Sequence, residues 1–151
     1  MNQPSIYFSK TTEELHHEIE SSSNIEDYLT ENKKNMHLDT LSRHLNRLLA
    51  QKNLTKADVV RDSLLDRTYL YQIFSGEKNP SRDKLIAIIF GMHLSAKEAQ
   101  KTLKLSGNRE LYARDARDAI ILFSLYQKRT IHDANSLLFA HHFPVLGSFG
   151  K

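Results

Sequence analysis

The chain has 151 residues and a mass of 17.4 kDa, room for one domain with its own core or one domain plus a small appendage. Its net charge of +3 is a cancellation: residues 1–32 hold one basic and seven acidic side chains, and residues 33–151 hold 20 basic and 11 acidic. An acidic leader ahead of a basic body points to an anionic partner for the body, and the absence of cysteine excludes disulfides, thiolate-held metal and a thiol nucleophile.

Apolar residues recur at helical spacing along most of the chain and alternating strand patterns are missing, so the fold class reads as all-α. In the leader, Thr11-Thr12-Glu13-Glu14 has the chemistry of a capping box, and Leu15 with Ile19 predicts a short helix that Ser21-Ser22-Ser23-Asn24 ends. A second short helix starts from Ser23 or Asn24 with Ile25, Tyr28 and Leu29 on one face, and Glu31 to Asn35 reads as a linker. The body opens with the stripe Leu38, Leu41, Leu45, Leu48 and Leu49, from which Arg43, His44 and Arg47 point away, and Asp39 or Thr40 starts that helix.

Thr55 begins a shorter helix holding Val59 and Val60, broken sharply near Ser63 to Asp66. Asp66 caps the next segment by accepting from freed backbone N–H groups. Leu70, Ile73 and Phe74 form its inward face, and Gly76 stops it in the left-handed conformation open to a residue without Cβ. After Asn79-Pro80, Ser81 caps a helix with Leu85, Ile88, Ile89 and Met92 on one stripe. Ser95 caps another with Ala99, Thr102 and Leu103, ended by Gly107. The stripe Ala116, Ala119, Ile120 and Phe123 reads as the packed face of a further helix in the tail.

Sliding the sequence by 35 residues lays Arg82-Asp83 on Arg117-Asp118, Ile86 on Ile121, Ser95 on Thr130, Ala99 on Ala134, Leu103 on Leu138 and Leu111 on Leu146. The coincidence of caps and core leucines suggests a helical hairpin at 82–111 followed by a second copy at 117–146. Two amphipathic hairpins that resemble each other by chance would give the same six identities in thirty positions.

A helix near Thr55 to Ser63, a turn of about three residues and a helix from Arg67 to Ser75 form the arrangement by which a helix-turn-helix presents its second helix to the DNA major groove. The residues are Leu54-Thr55-Lys56, then Asp66-Arg67-Thr68-Tyr69-Leu70-Tyr71-Gln72-Ile73-Phe74-Ser75-Gly76, then Pro80-Ser81 with Leu85 four beyond the serine. Across residues 38–103 the pattern resembles the phage-repressor (Cro/repressor, XRE-type) family of helix-turn-helix transcriptional regulators. That resemblance implies a five-helix lambda-repressor-like domain over 36–106. An acidic helical leader and linker (1–35) would precede it and an extra C-terminal hairpin (107–151) would follow.

It also implies that Arg67, Thr68, Gln72 and Lys56 reach base edges, as arginine does with guanine and glutamine with adenine, and that Arg43, Lys78 and Asn79 contact phosphate. Val60 and Leu64 stand where the family usually has a small alanine and a turn glycine, which predicts a turn built differently. Tyr69 and Tyr71 admit three readings: one packs against the fourth helix with its hydroxyl in water, one stacks on sugar or touches a thymine methyl, or the helix recognises protein.

Other chemistry is poorly represented. Neither GxGxxG nor GxxxxGK[ST] occurs, no apolar run approaches the roughly 20 residues that span a bilayer, and Met1-Asn2-Gln3-Pro4 lacks the features of a signal peptide. His17-Glu18 lacks the second histidine of HExxH, and adjacent His141 and His142 would diverge by about 100° on a helix. Histidines are therefore expected at the surface or half-buried, and no metal, cofactor, catalytic frame or membrane partner is expected. The expectation is a cytoplasmic, sequence-specific regulator of double-stranded DNA, acting as a homodimer whose contact comes from 117–146. The rival is a protein-interaction adaptor or antitoxin-like partner on the same helical scaffold. The acidic leader packs beside the DNA face, competes with DNA for it, or is a solvated arm.

Overall fold

The structure, a computed structural model, describes residues 10–33 and 40–147, and all regular structure among them is α-helical. Leu38 and Asp39, with Lys34 and Asn35 of the expected linker, lie outside the described residues. Each helix starts at a side-chain oxygen that accepts from an otherwise unpaired N–H of the first turn. The chain divides into two compact units, residues 1–39 and 40–151.

In the first unit, α1 (Thr12–Ser21) begins at the Thr11/Glu14 capping box and α2 (Ile25–Glu31) at Asn24. Glu31 thus closes α2 instead of opening a linker. The fully buried Asn32 joins the two helices, its Nδ2 donating to Glu18 Oε1 at 2.8 Å and to the Tyr28 carbonyl at 3.1 Å. The Lys10 ammonium hydrogen-bonds Glu18 and Asn32, and the bonds that Glu18 accepts from Lys10 and then from Asn32 hold its carboxyl below its usual range. Of the expected face, Tyr28 is buried while Ile25 and Leu29 are exposed, because two short helices have too little surface to cover all three.

The second unit contains α3 (Leu41–Gln51), α4 (Lys56–Ser63), α5 (Arg67–Ser75), α6 (Arg82–Gly91), α7 (Ala96–Leu105), α8 (Ala116–Tyr126) and α9 (Ile131–Ala140). Thr40 starts α3, and capping boxes start α4 (Thr55/Asp58), α7 (Ser95/Glu98) and α9 (Thr130/Asp133). Instead of one apolar stripe, α6 is buried on every side from Leu85 to Gly91, since α4, α7 and α9 all pack on it. At its end Gly91 permits a close crossing: a Cβ there would lie 2.7 Å from Ser63 Cβ and 3.0 Å from the Val59 carbonyl oxygen.

Two expected orientations are reversed. His44 is buried instead of pointing outward. Thr102 Oγ1 donates to the Glu98 carbonyl at 2.8 Å, so His44 Nε2–H donates to Thr102 Oγ1 at 3.0 Å and leaves Nδ1 to accept from Arg47 Nη2 at 3.1 Å. On α8, Asp118, Ile121, Ser124 and Leu125 face the core, whereas Ala116 and Phe123 are exposed and Ala119 and Ile120 half-buried. The deciding contact is polar: Asp118 turns inward to Arg82, and its helical neighbours Ile121 and Leu125 follow.

The 35-residue offset extends to individual hydrogen bonds. Gln100 Nε2 donates to the Leu111 carbonyl at 2.9 Å while Leu111 N–H donates to Gln100 Oε1 at 2.7 Å; Asn135 and Leu146 repeat this at 2.9 and 2.7 Å. Arg82 Nε donates to the Arg109 carbonyl, and Arg117 Nε to that of Pro144. Their guanidinium groups then cross over, Arg82 forking onto Asp118 and Arg117 onto Asp83. The turns of hairpins α3–α4, α6–α7 and α8–α9 also share a left-handed residue, Asn53, His93 and Lys128 at φ 59°, 56° and 56°. These are three hairpins in one stack, with α4 packed on α6 as α7 is on α8, and α3 on α7 as α6 is on α9.

Candidate nucleic-acid interface

Helix α5 is inserted between the first and second hairpins of this stack. Ser63 Oγ accepts from Leu65 N–H at 3.2 Å inside the preceding turn, and Asp66 accepts from Tyr69 N–H at 3.0 Å to start the helix. The turn was expected to differ from a glycine-built one, yet Leu64 takes the left-handed conformation that glycine favours, at φ 64° and ψ 22°. Its half-buried side chain packs on the core and against Gly147, where a Cβ would come within 2.9 Å of Leu64 Cβ. Packing thereby offsets a backbone strain of about 1–2 kcal/mol.

Leu70, Ile73 and Phe74 anchor α5 inward as expected. The Phe74 carbonyl accepts from Ser42 Oγ at 2.6 Å and from Asn46 Nδ2 at 2.8 Å, which fixes the C-terminal end of α5 to α3. The outward face carries exposed Arg67, Thr68, Tyr71 and Ser75, with Tyr69 and Gln72 half-buried beside it.

Cations gather on the two tyrosines. Lys56 Nζ lies 5.2 Å and Arg67 Cζ 5.6 Å from the Tyr71 ring centre, and Arg67 Nη1 donates to the Tyr71 hydroxyl at 3.2 Å. Lys84 and Lys78 lie 5.3 and 6.0 Å from the centre of Tyr69. Burial pushes the Tyr69 phenol pKa up, against a smaller opposing effect of the Ser81 backbone N–H that its oxygen accepts. Tyr69 thus packs half-buried at the start of α6, beside the Ser81 backbone. Such contacts hold lysine and arginine heads over ring faces at about 0.5–1 kcal/mol each at exposed sites.

The structure brings Arg67, Lys56 and Tyr71 into one cluster, and Tyr69 and Lys78 into another. Arg43, Lys78 and Asn79 line one cleft with Thr40, Ser42 and Gly76, between the start of α3 and the end of α5. Thr68 and Gln72 stand on α5 outside these groupings. The acidic groups of α4 are engaged elsewhere: Arg61 bonds Asp62 at 2.9 Å and Asp58 at 3.3 Å, and Asp62 also meets His93 at 3.0 Å. Lys84 was missed in the sequence because its place beside Tyr69 depends on the approach of α6 to α5. Among the described residues no group of three or more His, Asp or Glu side chains could hold a metal ion, and no helix is long and apolar enough to cross a membrane.

No family model, curated protein or solved structure matches this chain.

Proposed function

We propose that this chain is a sequence-specific double-stranded DNA-binding transcriptional regulator, with α3–α7 forming a five-helix lambda-repressor-like domain and α5 entering the major groove. One observation carries the reading. From Arg67 to Ser75 the exposed face of α5 holds no acidic side chain, and Lys56, Lys78 and Lys84 flank its two tyrosines. A helix so presented offers donors to base edges while the surrounding cations meet phosphate. Arg67, Thr68, Gln72 and Lys56 are the proposed base-reading side chains, with Tyr71 touching sugar or a thymine methyl. Arg43, Lys78 and Asn79 are the proposed phosphate contacts, and a homodimer would place two such helices on two-fold-related half-sites.

The test begins by selecting bound duplexes from a random pool, then measures affinity for the selected site across a salt series. Affinity should fall with a log–log slope near −0.9 for each phosphate neutralised. Arg67→Ala and Gln72→Ala should each lose about 1–3 kcal/mol of discrimination between the selected and scrambled sites. Absence of duplex binding at low salt would refute the reading and favour a protein ligand for the Tyr71 face.

A further inference from the structure

The third hairpin departs from the first two at its turn. In each turn a left-handed residue is followed by one whose N–H donates to a carbonyl five residues back: Leu54 to Leu49, Leu94 to Ile89 and Arg129 to Ser124, at 3.0, 3.1 and 2.9 Å. Leu54 packs on the core and Leu94 is buried, whereas Arg129 is exposed. The left-handed position itself is Asn53, then His93, then Lys128. Asparagine suits that backbone and lysine does not. Neither departure favours folding, since one puts a charge where the other turns have a leucine and the second strains the chain. Breaks with a local rule that bring no gain in stability point to a function. Both cations border one cleft of about 280 Å³ between the α6–α7 and α8–α9 turns. Its floor is apolar, made by Phe90, Leu94 and Leu125, each no more than 5% exposed. Lys52, at the end of α3, and His93 complete the rim.

We infer that this cleft binds a small organic carboxylate, its anionic group held by Lys128 and Arg129 and its apolar body lying over Phe90, Leu94 and Leu125. Charge selects an anion. The lysine and arginine heads of Lys52, Lys128 and Arg129 stand against the single carboxylate of Glu98, which already accepts from the Ser95 N–H at 2.9 Å and pairs with Lys52 at 3.1 Å. His93 is engaged by Asp62 at 3.0 Å. Arg129 rests beside Phe123, with Cζ 5.9 Å from the ring centre, and the Lys128 ammonium has no hydrogen-bond or ion-pair partner among the described residues. A guanidinium fork next to an ammonium suits a planar carboxylate. The buried floor calls for a hydrocarbon body, which neither free phosphate nor a nucleic-acid backbone supplies, and the volume limits that body to about the size of one or two rings. Such an occupant touches all three hairpins, Lys52 of the first, Phe90 and Leu94 of the second and Leu125, Lys128 and Arg129 of the third, and so braces the stack. The proposal does not rest on the DNA reading.

The test uses the full isotope-labelled chain at physiological ionic strength, with cinnamate as the probe. Amide resonances of residues 90–98 and 125–130 should shift saturably while those of α5 stay in place, and the thermal midpoint should rise with probe concentration. Cinnamamide keeps the shape without the charge, and acetate keeps the charge without the ring; each should bind at least about tenfold more weakly. Lys128→Asn and Arg129→Leu give the third turn the residues of the first, so both variants should keep the fold, which their amide spectra report. Each should weaken cinnamate binding by about tenfold. Absence of a saturable shift at these amides, equal binding of cinnamamide or acetate, or wild-type affinity in the doubly substituted chain would overturn the proposal. Cinnamate binding by a chain with no affinity for duplex DNA would leave it standing and remove only the proposed function.

Discussion

Arg82 with Asp118, and Arg117 with Asp83, are one pair of side chains exchanged between hairpins α6–α7 and α8–α9, yet the Asp118 side chain is 2% exposed and that of Asp83 50%. Their equivalent neighbours diverge in the same way. Ile88 is fully buried where Phe123 is 47% exposed, and Gly91 sits in a close crossing where Tyr126 is 71% exposed. Caps, turn conformations and the Gln100 and Asn135 clamps are nevertheless alike. Short-range sequence thus sets the hydrogen-bonding plan of each hairpin, and its place in the stack sets what the plan is worth.

The largest effect should separate the exchanged pairs. Asp118→Ala strands the largely buried Arg82 guanidinium and removes the acceptor of the Tyr112 N–H, and should cost about 3–5 kcal/mol in urea denaturation. Asp83→Ala should cost less than about 1 kcal/mol; equal losses would break the comparison. Next, Gly91→Ala drives a methyl into Ser63 and should destabilise by about 1–3 kcal/mol. Tyr126→Ala at the matching position should stay within about 0.5 kcal/mol.

The smallest effect concerns Glu98, which adds to its capping box an ion pair with Lys52 of the preceding hairpin at 3.1 Å. Burial raises the carboxyl pKa, but the Ser95 N–H and Lys52 together outweigh it and hold the group below its ordinary 4.5. Its stabilisation is therefore complete above that value and lost as pH falls through the lower folded-state value. Glu98→Gln keeps the box and loses the pair, so the variant should be less stable by under about 1 kcal/mol at neutral pH and converge with wild type in acid.

Much of this architecture was legible because helix starts are local. Thr11, Thr55, Asp66, Ser81, Ser95 and Thr130 announce caps by their own chemistry, and Gly76 announces a stop. The orientation of α8 was not, because it carries two apolar stripes, Ala116-Ala119-Ile120-Phe123 and Ile121-Leu125. The choice between them rests on Asp118, an aspartate that sequence alone assigns to solvent. His44 was misread for a similar reason, since its buried partner Thr102 lies 58 residues away. On the candidate face of α5, the positions of Arg67, Thr68 and Gln72 follow from the two ends of the helix. The pairing of lysines with tyrosines depends on how α4 and α6 approach that helix.

Leu64 and Gly147 bear on how the molecule can be dissected. The turn between α4 and α5 rests on a segment more than eighty residues downstream in the sequence, held in place by Asn135 and by the Arg117 bond to Pro144. Trimming the chain from its C-terminus would uncover a leucine in a strained backbone and loosen the footing of α5. A truncated chain that lost duplex binding would then report a damaged turn as readily as a missing dimer contact. Full-length chains with substituted surface residues keep those two effects apart.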